Sequence, residues 1–248
     1  MNKNLLCKVK TSSILGENKS AFTLAEVLIT LGVIGVVAAL TMPALIANYK
    51  NKVLINQSKN SYSKLSNALI LVKEQSGFDS FGDLFGPNYT NDEIIQELSK
   101  SIQMTKICKA GEDGCWNWKT KNSRKLYKDG KTIYYSYNHT SSAVLNDGSV
   151  ISVHKFPHNG DCEWTNTINK RDEKGNVVKD DSGNPITESS YQDRCAQIIL
   201  DVNGAKGPNQ VGADTWDVGV YAQKLRIVNA TFFYNDKLNY SDYREGED

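Results

Sequence analysis

Ser20-Ala-Phe-Thr-Leu-Ala-Glu26-Val-Leu-Ile-Thr-Leu-Gly-Val-Ile-Gly-Val-Val-Ala-Ala-Leu-Thr-Met-Pro43 decides how the rest of the chain is read. From Val27 to Ile46 no residue is charged and most are apolar. At about 1.5 Å per residue, that run forms a helix roughly 30 Å long, the thickness of a bilayer core. Glu26 sits at its leading edge, and an ionisable group there needs a partner or a role. A secretory signal has an apolar region of about 7–15 residues followed by a small-residue cleavage site. Here the run is longer, and the small residue Ala21 precedes it. A plain membrane anchor accounts for the length but not for Glu26 or the polar prelude Glu17-Asn-Lys-Ser20.

Ala21-Phe22-Thr-Leu-Ala-Glu26 ahead of an apolar helix resembles the prepilin cleavage and methylation signature of type IV pilins and type II secretion pseudopilins. The resemblance implies that a prepilin peptidase cuts between Ala21 and Phe22 and methylates the amine of Phe22. It implies that Glu26 pairs with the N-terminal amine of a neighbouring subunit. Paired charges of that kind partly cancel each other's desolvation cost in an apolar filament core. Pro43 falls where many members have a helix-kinking proline, whereas the family usually has Gly where this chain has Ala21. The implied protein is a structural filament subunit. It is single-pass in the inner membrane with its C-terminal domain outside the cytoplasm, then joins a pseudopilus or cell-surface pilus. Its partners would be other subunits and the assembly machinery. A minor pilin, or a surface module binding a receptor, DNA or a secreted client, is the alternative built on the same helix.

The 248 residues suffice for one domain plus a long helix, or two small domains. The expected layout is a leader over residues 1–21, a helix over 22–76 (22–47 transmembrane, 48–76 amphipathic) and a globular domain over 77–248. The formal net charge is +1, and the leader carries Lys3, Lys8, Lys10 and Lys19 against Glu17. Removing that +3 leaves −2 on the mature chain, so no basic field argues for nucleic acid. Positive charge before the helix favours a cytoplasmic N-terminus, although Lys50, Lys52 and Lys59 follow closely.

Cys7 would leave with the leader; Cys108, Cys115, Cys162 and Cys195 remain. Four cysteines past a membrane helix suit two disulfides in an oxidising compartment, with three connectivities open. Proximity in sequence favours Cys108–Cys115, which leaves Cys162–Cys195. Zinc would need His158 or His154 as an added ligand, and no paired Cys-x-x-Cys is present.

Ile55, Tyr62, Leu65, Leu69 and Val72 form one helical stripe, and Gly77 is a stop signal. Residues 77–130 read as mostly irregular, with Phe78, Phe81, Leu84 and Phe85 tucked under a loop. Thr90-Asn-Asp-Glu93 is a capping box that opens a short helix to about Ser101. Trp116 and Trp118 read as core cover more readily than as a ligand platform. Ile133, Tyr135 and Tyr137 mark a strand, and Asp147-Gly148 turns a hairpin spanning Ala143 to Val153. Residues 155–194 are a polar insertion, expected at the outer surface. Cys195–Val202 and Leu225–Tyr234 read as strands, and the tail 235–248 as frayed. The fold class is therefore α+β: a long helix on an antiparallel sheet of about four strands, with disulfide-bearing loops.

Asp201, Asn203, Asp214 and Asp217 gather oxygen donors around one loop. Calcium takes six to eight such ligands, and major pseudopilins, which the layout resembles, carry a late calcium loop. Asx-turns are the other reading of the same residues. His139, His154 and His158 are the only neutral-pH bases, and Ser141, Ser142 and Asp147 lie near His139. No nucleophile elbow, phosphate loop or metal-helix motif accompanies them, so no enzyme and no required cofactor is expected.

Overall fold

A computed structural model describes residues 23–122, 133–137, 139–173 and 175–238. The expected leader 1–21, with Ala21, together with Phe22 and the tail beyond residue 238, lies outside the described residues. The chain divides into two units, residues 1–47 and 48–248, and helix α1 (Leu24–Gln75) contributes to both.

In the first unit α1 opens on a reciprocal cap. Thr23 Oγ1 accepts from the Glu26 amide at 3.2 Å, and Glu26 Oε2 accepts from the Thr23 amide at 2.8 Å. Thr30 and Thr41 donate their hydroxyls to the Glu26 and Val37 carbonyls, so neither presents a free donor on the apolar surface. Leu28, Ile29, Val33, Ile34, Val36, Leu40 and Leu45 are exposed all round the helix. It is long and apolar enough to cross a membrane. The helix continues through Pro43 without melting. A proline withdraws one N–H only, and the bonds on either side carry the turn.

In the second unit α1 is one-sided. Ile55, Leu65, Leu69 and Val72 are buried with Ala68, Ser58 and Ser61, while Tyr62 is half-buried against the core. The helix ends at Gln75, and Gly77 just beyond it takes a φ of +68°, open to glycine without a Cβ clash. Helix α2 (Phe81–Leu84) replaces the expected loop, and α3 (Asn91–Ser99) starts at the predicted box, Thr90 Oγ1 accepting from the Glu93 amide at 3.2 Å.

Among the described residues ten strands follow: β1 Met104–Cys108, β2 Thr120–Asn122, β3 Ile133–Tyr135, β4 Ser142–Leu145, β5 Val150–Lys155, β6 Trp164–Asn169, β7 Thr187–Gln192, β8 Arg194–Asp201, β9 Thr215–Tyr221 and β10 Leu225–Val228. The main sheet has six strands, not four, in the order β1-β4-β5-β8-β9-β10, and every pairing is antiparallel. Strand β9 was missed in the sequence. The expected last strand stops at Val228, because Asn229 turns at φ +62° and the chain closes into α4 (Phe232–Asn235). The segment after it is partly anchored: Leu238 packs on the core and Asp236 pairs with Lys59 at 2.6 Å.

One sheet face, with Leu145, Ile151, Val153, Ile198, Leu200, Trp216, Val218 and Val220, joins the α1 stripe in a single core with Leu84, Ile94, Ile95 and Leu98. Full burial of such side chains contributes about 1.5–3 kcal/mol each. The other face carries a smaller cluster of Cys108, Cys115, Trp116, Val150 and Ile199. Disulfides join Cys108 to Cys115 and Cys162 to Cys195, with Cα–Cα distances of 6.0 and 4.3 Å.

The polar insertion is an exposed ribbon of β6 and β7. Its tip repeats an eight-residue unit, Asp172-x-x-Gly175-Asn176 and Asp180-x-x-Gly183-Asn184. Each Asp Oδ1 accepts from the Asn amide four residues on, at 2.8 Å. Lys170, Val178 and Ile186 then close a ring: 170 donates to 186 (2.8 Å), 186 to 178 (2.9 Å) and 178 to 170 (2.9 Å). Three hairpin arms meet at that ring.

Leu69 is fully buried, whereas its neighbour Ile70 is 45% exposed. Leu69→Ala is expected to cost about 2–5 kcal/mol and Ile70→Ala less than about 1. Urea unfolding of the detergent-solubilised chain measures both; equal losses would refute the assigned face.

Candidate functional site

Asp201 closes β8 and Asp214 immediately precedes β9, so the antiparallel register brings the two ends of loop 202–214 together. The Val202 amide donates to the Asp214 carbonyl at 3.0 Å. Gly204 has φ +65°, and a Cβ there would lie 3.0 Å from the Gly148 carbonyl oxygen and 3.9 Å from Trp118. Glycine therefore lets the loop close against the β4–β5 turn.

Both carboxylates are fully buried. Asp214 Oδ1 and Oδ2 accept from the Gln210 and Asn209 amides, each at 2.8 Å. Asp201 Oδ2 accepts from Trp118 Nε1 at 3.0 Å and Thr215 Oγ1 at 3.2 Å, and Oδ1 from the Asn203 amide at 3.3 Å. Burial pushes the Asp201 carboxyl well up, and the neighbouring Asp214 pushes it further. Burial also pushes Asp214 up to about 6, against the opposing pull of the Gln210 and Asn209 amides.

Around the pair, Asn203 Oδ1, Asn209 Oδ1 and both Gln210 side-chain amide atoms are buried without a hydrogen-bond partner among the described residues. Buried amide oxygens of that kind ordinarily find one. Two adjacent acids and three spare amide oxygens on one loop offer hard oxygen donors, the chemistry that suits calcium. The residues fit such an ion: Asp201 and Asp214 would hold it by charge, with Asn203, Asn209 and Gln210 as neutral donors.

The sequence-based set is therefore brought together only in part. Asp217 stands on β9 opposite Ile199, one step further along the sheet, and its Oδ2 accepts from Gln197 Nε2 and Asn229 Nδ2, each at 2.7 Å. Asn209, Gln210 and Trp118 were missed. Asn209 and Gln210 lie within loop 202–214 and could have been counted as oxygen donors, but Trp118 is 83 positions from Asp201 and leaves no local signal.

His158, Cys162 and Cys195 also converge, their ligand atoms within 4.8 Å. Zinc binds thiolates, whereas these sulfurs form a disulfide. His158 Nδ1 accepts from the Gly160 and Cys162 amides at 2.9 and 3.3 Å, so the imidazole shapes the turn. His154 lies elsewhere, packed near Phe156 and His139. Ser141 donates to Asp92 on α3, and His139 Nδ1 meets the Ser136 carbonyl, so the histidine and serines are not aligned as a nucleophile and base.

A carboxyl whose folded pKa is raised holds its proton more tightly folded than unfolded, so its stabilising contribution fades as pH rises through the folded value. Without divalent cations, stability should fall between pH about 4 and about 6 through Asp214. Thermal melts across that window test it: Asp214→Asn should flatten the fall, and an unchanged slope would sink the assignment.

Compared with known proteins, the chain matches no family model, no curated protein and no solved structure.

Proposed function

We propose that this chain is the structural subunit of a type IV pilus-like or type II secretion pseudopilus filament, processed by a prepilin peptidase and assembled through its N-terminal helix. The observation that carries the reading is the surface of α1 between Val27 and Ile46, apolar and exposed, with Glu26 at its head and Pro43 within it. Exposed apolar surface of that extent calls for lipid or for other helices. Lipid serves before assembly, and neighbouring copies of the same helix serve in a filament core. The peptidase leaves Phe22 as a methylated N-terminus, and Glu26 sets register by pairing with a neighbour's amine.

In this reading the subunit spans the inner membrane once, with the disulfide-bearing domain outside the cytoplasm. It acts by assembly, not catalysis. The loop of Asp201, Asn203 and Asp214 holds calcium, whose charge would relieve the repulsion between the two buried acids. Support for this comes from the loop itself, which Gly204 lets close against the β4–β5 turn beside the two acids.

The ribbon β6–β7 favours a second reading, a minor pilin or surface binding module on the same anchor. Its strands are largely exposed and add little to either core, as expected of an element kept for contact with something else.

The intact mass of the protein from its native membrane is expected to match Phe22–Asp248 plus one methyl group, less four hydrogens. A mass retaining the leader would withdraw the filament reading. Glu26→Ala should leave that mass shifted only by the substitution while filament incorporation falls. Normal incorporation would refute the role of Glu26.

A further inference from the structure

Trp118 reaches Asp201 from a different part of the fold. Its indole N–H donates to Oδ2 at 3.0 Å, beside the Thr215 hydroxyl at 3.2 Å. The indole is placed by a short chain of contacts. It stacks on Trp116 at 5.6 Å, with an angle of 27° between the rings. Trp116 is buried and packs edge-on against Tyr137 at 4.9 Å. The residue before Trp116 is Cys115, tied to Cys108 at the end of β1. The Gly114 amide donates to Asn117 Oδ1 at 2.7 Å, which tightens the turn between disulfide and indole. The disulfide therefore pins the segment that carries the donor.

Resting on the calcium reading above, we infer that Trp118 is a positioning residue for the cation loop and that the Cys108–Cys115 disulfide holds it in place. The N–H fixes the Asp201 carboxylate and leaves its second oxygen with one amide contact only. The indole and its stacked neighbour also keep water from that side of the carboxylate. Hydrogen-bond partners of metal ligands typically change affinity 10–100-fold when lost. The disulfide acts on the cation only through Trp118, so the two losses are not additive.

Calcium chloride titration of the detergent-solubilised full chain, by calorimetry, tests this. Trp118→Phe keeps the ring but removes the donor, and should weaken calcium binding by about 10–100-fold. Cys108→Ser/Cys115→Ser should weaken it by a similar factor, and the triple variant no further than either parent. Tryptophan fluorescence gives a second readout: a calcium-dependent change in the wild type, lost in Trp118→Phe. If the cysteine variant fails to fold, as judged by its melt, Trp118→Phe alone decides the positioning role. Wild-type protein that binds no calcium would remove the calcium reading and this inference with it. Wild-type binding with unchanged affinity in Trp118→Phe would overturn the inference and leave the calcium reading standing. Additive losses in the triple variant would overturn the coupling.

Discussion

A sheet has two faces, and both faces of this one must be kept from water. The inner strands show the constraint directly: the residues of β9 from Thr215 to Val220 are all buried, as are Val150 to Val153 in β5. The two faces are solved differently. One packs dry against the α1 stripe, with Trp216, Val218 and Val220 in the core. The other carries the small Cys108–Cys115 and Trp116 cluster at one end and, beside it, buried polar side chains held by hydrogen bonds. Thr140 donates to the Val153 carbonyl at 2.6 Å and lies 2.9 Å from Ser152 Oγ, and Gln197 and Asn229 together hold Asp217. Buried polar groups are tolerable only when partnered in this way. At the end of this second face lie Asp201 and its loop, where the partnering is incomplete.

Features written in local spacing were legible in the sequence. The α1 stripe, the Thr90–Glu93 box and the Asp147-Gly148 hairpin each need only a few consecutive residues, and the structure has all three. Strand β9 was harder. Trp216, Val218 and Val220 alternate as a strand should, but Thr215, Asp217 and Gly219 between them include poor strand formers. They are tolerated because the opposite face offers Asp217 two amide donors. The paired strands of the ribbon, β6 and β7, were hidden for another reason. They are stabilised by backbone pairing and Asx-type turns and bury almost nothing, so no hydrophobic pattern announces them.

The carboxylate site was legible by composition and not by geometry. Asp201 and Asp214 close the two ends of one loop, and loop closure is a short-range event. Asp217 lies only three residues beyond Asp214, yet strand direction carries it to another set of partners. Trp118 illustrates the opposite limit, a contact created wholly by tertiary packing.

The two disulfides and the acid pair stabilise the second unit under different conditions. A disulfide that stays oxidised restrains the unfolded chain at any pH or cation concentration, typically by about 2–4 kcal/mol. A buried acid pair does the reverse when left alone, since ionising both members costs free energy that the surrounding amides only partly offset. A ligand that binds the folded state alone returns stability in proportion to the logarithm of its concentration. A domain carrying both devices holds a constant frame and one loop whose stability follows its surroundings. Because that loop joins β8 to β9, two inner strands of the sheet, its closure bears on the strands that complete the core beneath α1.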